Sequence, residues 1–207
     1  FSHLVYPFHS DTINDLDVAV MKPLVATCAK DKYIKIWNYI NKSWECEAQF
    51  EDEPRLLSFH PSGFHLAVAF SNKVRLLNVR IGELKQYHEM NEKSCSAIAY
   101  SNGGQYFAIA KNTNVHIYSS YTGENMSNLT LKDDGNTITR IIWQLDDLKL
   151  FTLSNHIIEW SIDQDKLDKI VVHKNQILPN GDIGNCFDVT NLPRDSLENC
   201  LVGNTKD

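Results

Sequence analysis

The chain has 207 residues, 43% of them hydrophobic and 22% charged, with nine Gly and six Pro, a composition that excludes collagen-like, mucin-like and disordered proteins. No window approaches the roughly 18 to 20 consecutive apolar residues of a membrane span, and the opening segment lacks the features of a signal peptide. Because 20 Lys and Arg face 26 Asp and Glu, a formal charge of −6, no basic stripe is available for nucleic acid, and we expect a soluble intracellular protein with neither a membrane nor a nucleic-acid ligand.

One short pattern recurs four times along the chain. Each copy has an apolar run, a polar turn, and then alternating apolar residues that end on a large side chain. Alternation with a period of two predicts β-strands. The copies end 40, 41 and 42 residues apart, so they are units of one repeat. They cover 25–38, 66–78, 107–119 and 150–161 and close on Trp37, Leu77, Tyr118 and Trp160.

A turn-forming segment precedes the second, third and fourth copies at the same step. The segments are His-Pro-Ser-Gly at 60–63, Ser-Asn-Gly-Gly at 101–104 and Leu-Asp-Asp at 145–147. Gly accepts positive φ, Pro fixes φ, and Ser, Asn or Asp bonds its own backbone, so these residues favour tight turns. Half-buried strands are predicted before them at 56–59, 98–100 and 138–143. Each unit therefore has three or four short strands.

Such units predict an all-β fold of four-stranded antiparallel sheets, since no stretch beyond about ten residues holds a helical apolar stripe. One sheet cannot bury both of its faces alone. Radial stacking covers each face with a neighbouring sheet, which is the β-propeller arrangement and explains a period of about 40 to 45 residues. An immunoglobulin-like sandwich, the competing fold, has no constant step of this kind.

At this period the chain has room for about five blades, the last of them incomplete. Propellers usually have about four to eight blades, so we expect a partial propeller from a larger one, seven-bladed or double. In the fifth blade, a strand at 186–190 is followed at 200–207 by a segment typical of a second strand and its turn. Residues 1–8 resemble the outer strand of a preceding blade. The expected blades are 9–49, 50–90, 91–130, 131–172 and 173–207.

The first copy carries polar residues at a diagnostic spacing. His9 is followed after 22 residues by Asp31 and after 6 more by Trp37. This spacing resembles a WD repeat. The resemblance implies that His9, Thr27, Asp31 and Trp37 form one hydrogen-bonded network inside the blade, and a complete network of this kind holds the blade's loops rigidly.

The other copies depart from the WD pattern. Asn72 replaces the turn Asp in the second copy, and the third closes on a Tyr. The fourth keeps Trp160 as a candidate network residue, but it has two Asp at 133–134 in place of Gly-His and a shortened turn at 154–156. We therefore expect these blades to depend on apolar packing.

The segments between Phe8 and Trp160 are together similar to the WD-repeat region of cilia- and flagella-associated proteins of the 57 type. This resemblance implies a large axonemal scaffold with amino-terminal propellers and a coiled coil, associated with inner dynein arms and regulatory structures on doublet microtubules. Residues 163–199 diverge and carry an apparent insertion near 192–199. The matching segments are 23–28, 36–39, 60–63, 75–79, 101–104 and 159–160.

Candidate residues for catalysis or metal binding have simpler explanations. The eight His form no HxH or HExxH pair, and the five Cys have no CxxC spacing, so we expect no metal and reduced thiols. The acidic pairs at 133–134 and 146–147 are expected to be solvated turns. No GxSxG motif or phosphate-binding loop is present. We therefore expect no catalytic residue, cofactor or small-molecule substrate.

The loops carry the remaining functional signal, because rigid strands hold them at two rims. The loops between second and third strands share one rim with those that enter each blade, and Tyr and Arg are enriched at interface cores. The candidate partner-binding residues at this rim are Lys32, Tyr33, Arg55, Lys73, Lys93 and Asn112.

These observations favour a non-catalytic scaffold that binds other proteins. The family resemblance implies dynein-arm or doublet-microtubule components as partners, and the cytoskeleton of a cilium or flagellum as the location. The alternative is a cytosolic adaptor that binds a short peptide or modified tail in a signalling or ubiquitin-ligase complex. A propeller enzyme would need acids or histidines that converge in the central channel, and the sequence offers no such set. The scaffold hypothesis is an analogy at the level of the fold.

Overall fold

The computed structural model describes residues 8–131, 137–154, 157–163, 171–176, 186–190 and 199–203, and it describes side chains as far as residue 162. Eighteen β-strands lie within these ranges. The same ranges contain no helix that is long and apolar enough to cross a membrane. The predicted all-β fold is confirmed.

Sixteen strands form four antiparallel sheets of four strands each. The first sheet contains β1 (Ile13–Val18), β2 (Leu24–Ala29), β3 (Tyr33–Asn38) and β4 (Ser43–Gln49). The second contains β5 (Leu56–Phe59), β6 (His65–Ala69), β7 (Val74–Arg80) and β8 (Glu83–Met90). The third contains β9 (Cys95–Tyr100), β10 (Tyr106–Lys111), β11 (Asn114–Ser119) and β12 (Asn125–Thr130). The fourth contains β13 (Arg140–Trp143), β14 (Lys149–Leu153), β15 (Ile157–Asp163) and β16 (Val171–Gln176).

Each sheet is a meander in which every strand pairs with the next one in the chain. These sheets are four blades of a partial β-propeller. The last pair, β17 (Cys186–Thr190) and β18 (Asn199–Gly203), forms a two-stranded antiparallel sheet. Four expectations fall outside the described residues: the strand at 1–7, the acidic pair at 133–134, the turn residues 155–156 and the insertion at 192–198.

The sequence repeat corresponds to a repeat in the register of the sheets. In every sheet the closing residue of the third strand lies opposite an apolar residue of the second strand. In the first three sheets, the register between the third and fourth strands also shifts just before that closing residue. An irregularity of this kind bends and twists the outer strand at one recurring place. The opposed pairs are Val25 with Trp37, Leu66 with Leu77, Phe107 with Tyr118, and Leu150 with Trp160.

The core lies along the second and third strands, which are buried on both faces. This burial explains why β2, β6, β10 and β14 are apolar runs rather than alternating strands. Trp37, Leu66, Phe107 and Phe151 are among the fully buried side chains. Full burial of one such side chain contributes about 1.5 to 3 kcal/mol to the free energy of unfolding. The outer strand β8 is mostly exposed, as expected for a blade edge.

The chain divides into two compact units, Phe1–Tyr100 and Ser101–Asp207. Within the first unit, side chains on one inner strand accept hydrogen bonds from the backbone of the next. Asp15 Oδ2 accepts from Leu57 N at 2.8 Å, Asp17 Oδ2 accepts from Phe59 N at 2.6 Å, and Ser58 Oγ accepts from Tyr100 N at 3.0 Å. Each of these bonds spans 42 residues, so the repeat step also joins equivalent positions of consecutive inner strands.

Candidate protein-interaction site

Four polar side chains meet inside the first sheet. His9 lies just before β1, Thr27 lies on β2, Asp31 lies in the β2–β3 turn and Trp37 lies on β3. The Nδ1 atom of His9 is 2.9 Å from Asp31 Oδ2, and its Nε2 atom is 2.8 Å from Thr27 Oγ1. Trp37 Nε1 donates to the same hydroxyl oxygen at 2.9 Å. The structure therefore brings together all four residues of the first copy.

The partners assign a direction to two of these hydrogen bonds. A carboxylate only accepts, so His9 Nδ1–H donates to Asp31. The Thr27 oxygen accepts the indole N–H of Trp37, and the same hydroxyl group is hydrogen-bonded to His9 Nε2. Every polar atom of this buried cluster is paired, which is the condition under which such a network stabilises a fold.

Asp31 also binds the backbone of its own loop. Its carboxylate accepts from Ser10 N and from Tyr33 N, each at 3.0 Å. Burial by itself raises the pKa of Asp31, but the hydrogen bonds from the Tyr33 amide, the His9 ring and the Ser10 amide outweigh it, so the pKa lies below its ordinary value of 3.8. The carboxyl group is therefore ionised, and it holds the start of β1 and the β2–β3 turn together.

The network fixes the residue that the turn presents. Lys32 has a φ of 68°, the left-handed conformation, and its amide donates to Ala29 O at 3.1 Å. Its carbonyl accepts from Phe50 N at 2.9 Å. Phe8 stacks on Trp37 with ring centroids 5.1 Å apart. The Lys32 side chain is thus exposed on a backbone that is hydrogen-bonded at both its amide and its carbonyl.

The predicted rim residues of the first unit lie on loops that contact one another. The β2–β3 turn contacts the β4–β5 connection through Lys32 and Phe50. Lys73, in the β6–β7 turn, forms an ion pair with Asp52 at 3.0 Å. Ser94, in the β8–β9 connection, donates to Ser71 O at 3.1 Å. We call residues 30–33, 50–55, 70–73 and 91–94 the loop surface.

The individual rim residues differ in exposure. Lys32, Arg55 and Lys93 are exposed, whereas Tyr33 and Lys73 are partly buried. Arg55 N donates to Ala69 O at 2.8 Å, which fixes its backbone against the end of β6. Asn112 lies in the second unit, in the equivalent β10–β11 turn; it is exposed with a φ of 49°, and its carbonyl accepts from Ile138 N at 2.7 Å.

The acidic pair at 146–147 is not the solvated turn that we expected. Asp146 is exposed, but Asp147 is buried and has a φ of 59°. Its carboxylate accepts from Asn102 N at 2.7 Å and from Gly103 N at 2.6 Å. Asp147 therefore joins the β9–β10 turn to the β13–β14 turn. The burial of Asp147 could not be predicted from the sequence, because adjacent acids in a turn give no sign of which one points inward.

The fourth sheet departs from the expectation that it depends on apolar packing alone. Trp160 Nε1 donates to Thr152 Oγ1 at 2.9 Å, and both residues are buried. This bond is the counterpart of the one between Trp37 and Thr27. The signal was present in the sequence as a Thr on the second strand of each of these two copies.

Metal ligands and thiols are the remaining candidates for chemistry in the described part of the chain. Within it, no group of three or more His, Cys, Asp or Glu lies close enough to hold a metal ion. Burial raises the pKa of Cys28 to about 12, and those of Cys46 and Cys95 to about 11. These thiols are protonated at neutral pH, and a protonated thiol is a poor nucleophile.

Comparison with known proteins agrees with this geometry. Residues 2–38, which contain the four-residue network, match the family described as WD domain, G-beta repeat. The chain is 44% identical over 162 residues to cilia- and flagella-associated protein 57 A of Tetrahymena thermophila. The matched region covers 77% of this chain and 12% of that protein. This chain contains a WD repeat and is similar to cilia- and flagella-associated protein 57.

Two further comparisons extend this result. The chain is 34% identical over 177 residues to cilia- and flagella-associated protein 57 of Mus musculus, covering 84% of this chain and 14% of that protein. The chain thus spans about one seventh or less of the length of these relatives. The crystal structure of the Cps50 (Swd1) β-propeller domain from Myceliophteria thermophila is 16% identical, with a TM-score of 0.71 over 86% of this chain and 63% of that chain. This likeness supports the propeller fold.

Proposed function

We propose that the chain is part of a non-catalytic WD-repeat scaffold that binds other proteins through the loop surface, in the axoneme of cilia or flagella. The observation that carries the proposal is the rigid, connected set of loops in the first unit. A buried network fixes the β2–β3 turn, and backbone bonds and one ion pair join that turn to three further connections. Loops held on a rigid scaffold lose little conformational entropy when a partner binds.

The location is supported by the relatives. Two proteins that match most of this chain are named as cilia- and flagella-associated. Dynein-arm or doublet-microtubule components are the partners that we propose for a scaffold in that setting. The exposed cations Lys32, Arg55 and Lys93 share the loop surface with the acidic run at 51–53, so this surface offers charges of both signs to a partner.

Proximity labelling in ciliated cells tests this proposal. The full-length protein that contains this chain is fused to a biotin ligase and expressed with either Arg55→Glu or Lys32→Glu. Lys85→Glu is the matched control, because Lys85 is also an exposed cation but lies on the outer strand β8. We expect the unchanged protein to line the axoneme and label doublet-microtubule components, and the two loop variants to lose part of that labelling.

Two results would contradict the proposal. Diffuse cytosolic fusion protein that labels ligase or signalling subunits would support the adaptor alternative instead. Equal labelling by the loop variants and by Lys85→Glu would show that partners do not use the loop surface.

A further inference from the structure

The end of the sheets opposite the loop surface carries exposed apolar side chains. In the first unit these side chains lie in the β1–β2, β3–β4, β5–β6 and β7–β8 turns. Ile81 is 100% exposed, Val20 77%, Met21 75%, Ile40 69% and Phe64 54%. Scattered exposed apolar residues are ordinary, but a cluster of them at one place marks an interaction site. We call residues 20–22, 39–42, 60–64 and 80–83 the turn surface.

Contacts between the four turns make the turn surface continuous. Met21 N donates to Pro61 O at 3.0 Å, which joins the turns of the first and second sheets. Tyr39 N donates to Pro23 O at 3.0 Å, and Val79 N donates to Phe64 O at 2.7 Å. These bonds bring the β3–β4 and β7–β8 turns against the other two. The exposed apolar side chains therefore belong to one surface.

Lys22 has a fixed position within this surface. Its ammonium nitrogen lies 3.2 Å from the centroid of the Phe64 ring, a cation–π contact. Its aliphatic stem packs on Gly63, where an added Cβ would lie only 3.0 Å from Lys22 Cδ. Gly63 has a φ of 71°, so a larger residue there would be strained as well as crowded. The turn thus presents a positive charge beside exposed apolar side chains in a preorganised arrangement.

The charge of the turn surface is opposite in sign to that of the chain. The four turns contain three cations, Lys22, Lys42 and Arg80, and one carboxylate, that of Glu83. Their net charge is therefore +2, whereas that of the whole chain is −6. The ion pair of Arg80 with Glu83 spans 3.3 Å, and both of its side chains are more than half exposed. Such an exposed pair is weak and exchanges readily for a partner's charge.

We propose that the turn surface binds an acidic peptide segment with apolar side chains, supplied by a protein partner. The apolar side chains of that segment would contact Met21, Ile40 and Ile81, and its carboxylates would pair with Lys22 and Lys42. Burial of the exposed apolar side chains supplies affinity, and the cations supply selectivity for acidic segments. This site lies at the other end of the sheets from the loop surface, so either proposal can fail without the other.

Peptide binding to the purified full-length protein tests this inference. Three fluorescent synthetic peptides are compared by anisotropy: one that alternates Leu or Phe with Glu, one with Lys in place of each Glu, and one with Ser in place of each Leu or Phe. We expect only the first to bind, with an affinity that falls as salt is raised. Ile81→Ser and Lys22→Glu should each weaken its binding by about tenfold or more.

Matched variants separate this site from other exposed residues. Ile13→Ser removes a partly exposed apolar side chain at the opposite end of β1, and Arg140→Glu reverses an exposed charge on β13, outside both the turn surface and the loop surface. Both should bind the acidic peptide as the unchanged protein does. An unchanged thermal transition of Ile81→Ser, whose side chain is fully exposed, would show that its lost binding is not a loss of folding.

Three results would overturn the inference. The first is no binding of the acidic apolar peptide, and the second is equal binding of the acidic and basic peptides. The third is binding of the full-length protein to phosphatidylserine vesicles that Ile81→Ser and Lys22→Glu abolish, with no peptide binding, since that would make the turn surface a lipid-binding site.

Discussion

His9 and Asp31 lie 22 residues apart in the chain, and their side chains meet at 2.9 Å. The His9 side chain is fully buried and the Asp31 side chain is 6% exposed, so water cannot take the place of either hydrogen-bond partner. A hydrogen bond to a charged group contributes about 1.5 to 3 kcal/mol to stability, and loss of one partner from a buried pair costs at least as much. This contact ties the first β2–β3 turn to the segment that precedes β1.

Replacement of Asp31 by Asn should loosen this turn. The neutral amide loses the charge that holds His9 and accepts more weakly from Ser10 and Tyr33. We expect the free energy of local unfolding around the turn to fall by about 2 kcal/mol, measured by hydrogen exchange on the full-length protein. Asp11→Asn is the control, because Asp11 is exposed and accepts from the adjacent Thr12 amide. Unchanged exchange in Asp31→Asn would contradict the assigned role.

Thr27 and Thr152 allow the two related networks to be compared. Thr27→Val keeps the shape of the side chain but leaves His9 and Trp37 without their common partner. Thr152→Val removes the partner of Trp160. A buried polar group left unpaired costs about 1 to 3 kcal/mol, so Thr27→Val should destabilise its sheet more than Thr152→Val destabilises the fourth. If hydrogen exchange shows the same loss of protection in Thr27→Val and Thr152→Val, Thr27 does not join His9 to Trp37 as we infer.

Two aspartates of the first unit should respond to pH in opposite directions. The folded-state pKa of Asp31 is lowered, so its contribution to stability is present above the ordinary value of 3.8 and is lost as the pH falls through the folded-state pKa. Burial raises the pKa of Asp17 despite hydrogen bonds from the Phe59 and Val18 amides. Its contribution is therefore present below 3.8 and is lost as the pH rises through the folded-state pKa.

Single Asn variants separate these two effects. Hydrogen exchange is measured across the acidic pH range. Asp31→Asn should reduce the loss of stability that occurs as the pH falls below 3.8. Asp17→Asn should remove part of the loss that occurs as the pH rises above 3.8, since the Asn oxygen still accepts from Phe59 N. The assignment fails if both variants change the pH profile in the same direction.

Asp147 should matter to the second unit far more than its neighbour. Asp147→Ala leaves the Asn102 and Gly103 amides without their acceptor and places Ala in a left-handed conformation. We expect a loss of about 1 to 3 kcal/mol of local stability in the β9–β10 and β13–β14 turns. Asp146→Ala, which removes an exposed acceptor from Leu148 N, should cost only a few tenths. The comparison is made by hydrogen exchange, and equal effects would contradict the buried role of Asp147.

Much of the local structure could be predicted from the residues in order. Alternation and apolar runs predicted the strands, because a pleated strand places successive side chains on opposite faces. The constant step between Trp37, Leu77, Tyr118 and Trp160 predicted stacked units, and the sheets repeat at that step. The resemblance to a WD repeat, carried by the spacing of His9, Asp31 and Trp37, implied the polar network that joins them through Thr27.

The contacts between sheets could not be predicted in this way. The carboxylates of Asp15 and Asp17 accept from β5, and Asp147 accepts from the β9–β10 turn, although each reads as an ordinary polar residue. Likewise, Lys22 and Phe64 lie in turns of different sheets, and only their approach makes one surface with Ile81. The sequence by itself determined the strands and their step, since these depend on neighbours along a meander, and its resemblance to a WD repeat implied the polar network within one sheet. Only the tertiary structure decided which acids are buried and which exposed side chains share a surface, because both depend on how one sheet lies against the next.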